Sequence, residues 1–234
     1  MTAQGTPLPT ELAETSVIFN GTGVSILFVS PSQINVVAPQ YLQIALDAYT
    51  QASIVVATLV GPSTPAEVPD YQSSPGIFTT DGTGCGQAMA LNVSPDGSVS
   101  VNSPSNSAAP TDYIALFGTG LDFPYPLPDG ATYATGPWPA IPGAEISIDG
   151  IKAPVSYSGL APMLVAVDQT NFQIQQGTRE GCAVPISVST YDMLGSTVTV
   201  SIHSGRGGCV DPLLQSYGQL TLTKTTTSDT GNDV

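Results

Sequence analysis

The stretch "LFVSPSQINVVAP", Leu27 to Pro39, alternates apolar and polar positions around a Gln-x-Asn triplet, and "LVAVDQTNFQIQ", Leu164 to Gln175, does so again. A period of two puts successive side chains on opposite faces of a strand. Gln33 and Asn35 therefore share a face, with Ile34 and Val36 turned to the core, and Gln169 and Asn171 stand likewise against Thr170 and Phe172. An amide pair of this kind either brackets backbone groups at a sheet edge or contacts a ligand. Strands are also predicted at "SVIFNG", "VSILFVS", "ASIVVATLV", "QAMALNV", "SVSVNS", "DYIALFGTGL", "AEISIDG", "APVSYSG", "MLVAVDQTNFQIQ", "AVPISVST" and "STVTVSIHS". The turn "SPDG" closes one hairpin. Helical spacing occurs at "PQYLQIALDAYTQA", where Pro39 and the β-rich surroundings oppose it, so the expected class is all-β.

The segments "ETSVIFNGTGVSILFVSPSQINVVAP" and "GAEISIDGIKAPVSYSGLAPMLVAVDQTNFQIQ" follow one order: strand, Asn/Asp-Gly turn, second strand, Gln-x-Asn strand. Val17, Phe19 and Ile26 fall where Ile146, Ile148 and Val155 fall, and a further β-rich run follows each segment. The chain reads as an internal duplication, each unit the size of an immunoglobulin-like sandwich. The expected domains are 1–80, a first immunoglobulin-like unit; 81–210, a second with a long Pro/aromatic loop at 122–142; and a tail, 211–234. The second unit is preceded by "TDYIALFGTGL", with Tyr113, Ala115 and Phe117 on one face and Ile114 and Leu116 on the other; the first has only seven residues before "LPTEL". A sandwich short of that N-terminal strand exposes a groove and an unpaired edge. Burying about three apolar side chains there is worth roughly 5–9 kcal/mol, similar to the stability of a small domain. Leu220 and Leu222, alternating with Thr in "SYGQLTLTKTTTS", mark a strand that either folds back or is donated to a neighbouring molecule.

Composition sharpens this picture. Hydrophobic residues are 41% of 234, enough for cores, and Gly (24) and Pro (21) punctuate many short strands. No apolar run is long enough to cross a bilayer, so membrane insertion is not expected. With 4 Lys+Arg against 18 Asp+Glu the formal charge is −14, which repels nucleic acid and anionic lipid. "MTAQGTPLPTELAET" has neither a basic n-region nor an apolar h-region. The chain is then either cytosolic or cut from a longer exported precursor; scarce Lys and abundant Ser, Thr and Gly favour an extracellular or cell-surface location.

Cys182 and Cys209 flank "AVPISVST" and "STVTVSIHS". If those runs form a hairpin, the two cysteines come back together and a disulfide becomes feasible, leaving Cys85 unpaired. The alternative is three buried, reduced cysteines. Metal-ligand spacing is absent, and the single His203 cannot complete a Cys/His site. The "SPDGS" turn and the acidic "LPDG" turn supply oxygens without the spacing of a calcium loop; structural calcium is the one ion they leave open.

The connection 122–142 gathers Phe123, Tyr125, Tyr133 and Trp138 with Asp122 and Asp129. Aromatic faces stack on sugar rings and long loops carry binding sites, so this is a candidate carbohydrate site. The same residues also suit a cover over the end of the sandwich. A serine hydrolase would need His203 as base, yet no G-x-S-x-G elbow exists, and a glycosidase pair cannot be picked from 18 acids.

"LPTELAETSVIFNG", "LFVSPSQINVVAPQ", "SPGIF", "GQAMALNVSPDGSVSVNSPSNSAAPTDYIALFGTGL" and "GCAVPISVSTYDMLGSTVTVSIHSGRGGCVDP" together resemble the Solibacter-type C-terminal domain family. That family consists of repeated β-sandwich segments on secreted or surface proteins of acidobacteria and related soil bacteria. The resemblance runs from about Leu8 to Pro212, and the "ALN…DGS…NSPSN" string is its specific part. It implies export and immunoglobulin-like folding, with a strand like "DYIALFGTGL" normally ahead of the first unit. The Gly-Cys…Gly-Cys frame around Cys182 and Cys209 looks like one branch of the family; Cys85 departs from it. No chemistry is implied, and no catalytic residue carries over. The sequence thus points to a non-enzymatic structural or adhesion module whose partners are its own copies, surface proteins or glycans. A carbohydrate-binding module is the alternative, and a hydrolase a further one.

Overall fold

A computed structural model of the chain describes residues 1–39, 50–123, 130–132, 136–191 and 193–211. In chain order the first strands are β1 (Glu11–Leu12), β2 (Thr15–Phe19), β3 (Thr22–Gly23), β4 (Ile26–Ser30), β5 (Gln33–Val36), β6 (Thr50–Thr58), β7 (Gly61–Pro62), β8 (Ala66–Asp70) and β9 (Gly76–Ile77). There follow β10 (Ala90–Val93), β11 (Val99–Val101), β12 (Tyr113–Thr119), β13 (Glu145–Ile148), β14 (Ile151–Ala153), β15 (Val155–Leu160), β16 (Asp168–Gln173), β17 (Gly181–Thr190) and β18 (Met193–Ile202). The described residues contain no helix, and the named strand pairs are all antiparallel. The all-β expectation holds. Residues 40–49 of the helically spaced stretch lie outside the described residues, as do Tyr125, Asp129, Tyr133, Leu220 and Leu222.

The larger core lies between two sheets. One has the order β11-β10-β12-β16-β15, with β9 against the end of β12; the other has the order β14-β13-β17-β18. Alternation dictates what they bury: Ile114, Leu116 and Phe172 from the first meet Ile146, Ile186, Val198 and Val200 from the second. This is the layering of a β-sandwich. Ile77 belongs to the same core, because β9 pairs with Gly118 and Thr119 and its Ile77 N–H donates to Ser196 Oγ at 2.8 Å. The larger core thus takes in residues from just before position 80. At the start of β12, Asp112 is fully buried and held by Arg206 Nη2 (2.7 Å), Arg206 Nε (3.2 Å) and the Ala109 N–H (2.9 Å).

The smaller core lies between β2–β6, flanked by β1, β3, β7 and β8, and the two-stranded sheet β4-β5. Val17, Phe19, Val24, Ile26 and Ala52 are buried; Ile34, Val36, Val56 and Val68 are only partly so. Among the described residues β5 is paired on one edge alone, by β4. The first residues of the chain do form a pairing, but on the far edge of β4, where the Ala3 N–H donates to the Leu27 carbonyl and the Val29 N–H to that of Met1, both at 2.9 Å.

Turn chemistry sets the register. Asn20-Gly21 and Asp149-Gly150 close two-residue hairpins with φ of 47° and 82°, and 51° and 79°. Both central residues need positive φ there, which Asn or Asp followed by Gly supplies. Below those turns Ile26 opposes Val36 and Phe28 opposes Asn35 across a bulge, as Val155 opposes Phe172 and Tyr157 opposes Asn171. Gln33 Nε2 donates to Asn35 Oδ1 at 2.7 Å, and Gln169 Nε2 to Asn171 Oδ1 at 2.8 Å. In each pair the two amide side chains bond to each other on the outer face.

One predicted strand is shorter than expected. "MLVAV" is not extended: Met163 and Ala166 have φ of 64° and 54°, and the Ala161 N–H donates to the Val167 carbonyl at 2.8 Å. β15 and β16 are adjacent antiparallel strands, so the chain must reverse between them, and these apolar residues make the turn.

Candidate functional site

The aromatic connection contributes an added edge to the sandwich. Its Pro139 bridges Gly159 of β15; the Ala140 N–H donates to Ser158 O at 2.9 Å, and the Leu160 N–H to Trp138 O at 3.0 Å. Gly159 has no room for a Cβ, which would stand 2.2 Å from the Trp138 carbonyl. Tyr157 Oη donates to the Leu160 carbonyl at 2.7 Å, fixing the ring beside this edge. Beside it lies an open groove of about 530 Å³ lined by Pro139, Ala140, Gly143, Glu145, Lys152 and Tyr157, among others. Its charged pair, Lys152 Nζ to Glu145 Oε1 at 2.6 Å, is well exposed on both sides. Trp138 and Phe123 are half-buried. Of the four aromatics expected to bind, the structure thus describes Phe123 and Trp138, and neither lines the groove, whose wall begins at Pro139.

Other parts of the same connection join the two halves. The Leu8 N–H donates to Gly130 O at 2.9 Å. Gly130 is at φ +72°, and a Cβ there would meet Ser25 Oγ at 2.6 Å. Asp122 accepts from Gln72 Nε2 at 2.8 Å and from Tyr191 Oη at 3.3 Å, while Ser73 Oγ lies 2.6 Å from Thr190 Oγ1. Burial first, and then the Asp122 carboxylate, raise the Tyr191 phenol above its ordinary value. These contacts fix Gly130 against Leu8 and Ser25, and Asp122 against Gln72 and Tyr191.

Asp168 is the site residue that motif reasoning passed over. It shares the inward row of β16 with Thr170 and Phe172 and is 6% exposed. Burial pushes its carboxyl up to about 7, offset by one donor, the Leu121 N–H at 2.9 Å. It lines a cavity of about 20 Å³ with Pro75, Ile77, Leu121 and Val188, enough for one water. The signal was available, since an acid stands in the apolar phase of an alternating strand.

The "ALN…DGS…NSPSN" string forms a buried amide network. Asn102 Nδ2 donates to Asn92 Oδ1 (2.7 Å) and to the Ser201 carbonyl (2.9 Å); its Oδ1 accepts from the Ser201 N–H and from Gln87 Nε2, both at 2.9 Å. Asn92 Nδ2 in turn holds the Asn106 carbonyl at 2.9 Å. Such residues clamp β10, β11 and β18 together; in this arrangement their specificity is structural.

Cys182 and Cys209 are bonded, with Cα atoms 5.1 Å apart, Cys182 at the start of β17 and Cys209 seven residues past the end of β18. Cys85 is free and exposed, which excludes three buried thiols. His203 Nδ1 lies 3.2 Å from the Arg206 carbonyl in a turn; Ser204 binds Glu180 through its N–H (3.0 Å) and hydroxyl (3.3 Å). In "SPDGS", Asp96 Oδ1 accepts the Ser98 N–H at 2.9 Å. Among the described residues no group of three or more His, Cys, Asp or Glu could hold a metal ion. No helix among them is long and apolar enough to cross a membrane. No protein-family model matches the chain, and no curated protein or solved structure matches it.

Proposed function

We propose that this protein is a non-enzymatic extracellular structural or adhesion module of two tandem immunoglobulin-like units, the first of which accepts a donated strand. The observation that carries the reading is the edge of β5, which among the described residues is paired by β4 alone over a partly buried core, where β16 in the other half has β12 on the equivalent edge. The pairing of the halves rests on shared detail. Both have an Asn/Asp-Gly turn at positive φ, a bulge before the Gln-x-Asn strand and an amide pair bonded within that strand. The strand order β3-β2-β6-β8 also parallels β14-β13-β17-β18. The disulfide fits an oxidising, extracellular setting. Light scattering and negative-stain microscopy test strand donation, comparing the intact chain with one ending at Pro212. Oligomers or fibres that vanish on shortening support donation between molecules, a head-to-tail contact that need not close. A monomer that only loses thermal stability on shortening places the strand within its own chain and removes the assembly role.

A second reading, a carbohydrate-binding module, is favoured by the groove beside Trp138. A glycan-array signal lost in Trp138→Ala would establish it; a blank array would remove it.

A further inference from the structure

The segment that leads from the smaller core into the larger one is seated against glycines. A Cβ on Gly118 would stand 2.3 Å from the Gly76 carbonyl oxygen, and one on Gly120 2.0 Å from that of Ser74. One on Gly195 of β18 would stand 2.1 Å from the Pro75 carbonyl oxygen. Three successive carbonyls thus lie where only glycine leaves room. The Ser74 N–H donates to the Gly120 carbonyl at 2.9 Å and the Phe78 N–H to that of Phe117 at 3.0 Å. Ser73 Oγ donates to the Gly120 carbonyl as well, at 2.9 Å.

Asp168 faces this segment across its cavity, which Pro75, Gly76 and Ile77 bound together with β12, Thr170 and Val188. The walls differ in strength. β12 is paired by β10 and β16, β16 by β12 and β15, and β17 by β13 and β18. β9 is two residues long and, among the described residues, pairs with β12 alone. No other residue lining the cavity titrates. Asp122 follows the donor Leu121 in the chain and carries Tyr191, while Tyr157 of β15 donates to the carbonyl of Leu160, the residue opposite Asp168. None of these supplies a positive charge. Lys152, Arg179 and Arg206 are committed to Glu145, Asp149 and Asp112, and His203 lies in the turn after β18. An ionised Asp168 must therefore draw on water, and the cavity has space for about one molecule. Further water enters where the wall is weakest, at β9.

We infer that Asp168 is a proton-operated latch: protonated, it keeps residues 73–78 docked on the larger sandwich, and its ionisation releases them while the inner strands stay folded. Release also breaks the Ser73–Thr190 and Gln72–Asp122 contacts, so protons set how firmly the two halves are joined. No donated strand is needed for this. Burial holds the docked carboxyl at about 7 against an ordinary 3.8. Opening is rarest below pH 3.8, becomes easier as pH rises to about 7, and levels off above that. Amide hydrogen exchange of the full chain, corrected for its intrinsic pH dependence, is the test. From about pH 4 to about pH 7 the protection of Ser74, Ile77 and Phe78 should fall by about a hundredfold or more. At each pH it should stay below that of β12 and β16. Asp168→Asn, neutral throughout, should hold the protection constant. Gly195→Ala, whose Cβ displaces the Pro75 carbonyl, should leave the segment open at every pH. Protection indifferent to pH, or a pH dependence that survives Asp168→Asn, overturns the inference. So does a fall of the same size and level in β12 and β16, which would make the opening a global unfolding.

Discussion

The residues around Phe172 and those around Ile26 sit in cores of unequal depth. In the larger core Ile114, Ile146, Phe172, Ile174, Ile186, Val200 and Ile202 have no accessible surface; in the smaller, among the described residues, Ile26 alone reaches that state, and Ile34, Val36, Ile54, Val56 and Val68 stay partly open. The strands of the two regions read alike, with the same alternation and the same turns. Alternation selects which face a side chain takes, but depth depends on how many strands lie beside and above it. β16 is flanked by β12 and β15, whereas β5 has β4 alone among the described residues.

Chemical denaturation puts that difference at risk. Phe172→Ala, at 0% exposure, should cost about 3–5 kcal/mol, since the cavity cannot collapse within a complete sandwich. Asp168 offers a comparable effect of opposite sign. Its folded carboxyl titrates at about 7 against an ordinary 3.8, so the folded state holds the proton more tightly. The stability it contributes is fully present below pH 3.8, is lost as pH rises through about 7, and is absent above that. Asp168→Asn should therefore flatten the melting temperature over this window and stabilise the protein above it, on the order of 2–4 kcal/mol. An unchanged pH slope would show the carboxyl to be solvated. Replacing both Cys182 and Cys209 by Ser should cost roughly 3 kcal/mol, with faster amide exchange in β17 and β18 and unchanged exchange in β2. The smallest effect belongs to the smaller core: Val36→Ala should cost only about 1 kcal/mol, because the site is already partly open. A loss as large as that of Phe172→Ala would mean that something covers β5.

Much of this was legible from period-two patterning and Asx-Gly turns, both of which are local. β2, β4, β5, β6, β10, β12, β13, β17 and β18 lie where alternation predicts them, and the cysteine pair follows from a hairpin read from sequence. What escaped is what depends on distant neighbours. "MLVAV" looks like a strand and is a turn, since only the position of β15 forces the reversal. The short β9 carries no alternation of its own, yet closes the end of the sandwich against Gly118 and Ser196. The groove beside Trp138 is built from β13, β14, β15 and the 139–143 segment, which no local motif links. Asp168 is an exception to alternation, visible as an anomaly and interpretable only once the sheets are assigned.

The bond between Cys182 and Cys209 spans 27 positions of chain. Pulled from its two ends, the protein would pass tension across that covalent shortcut and leave the β17–β18 hairpin unloaded. About 90 Å of contour length is thereby withheld from any stretching event, at roughly 3.4 Å per residue. Oxidation thus sets how far the chain can extend under force, and reduction would hand that slack back.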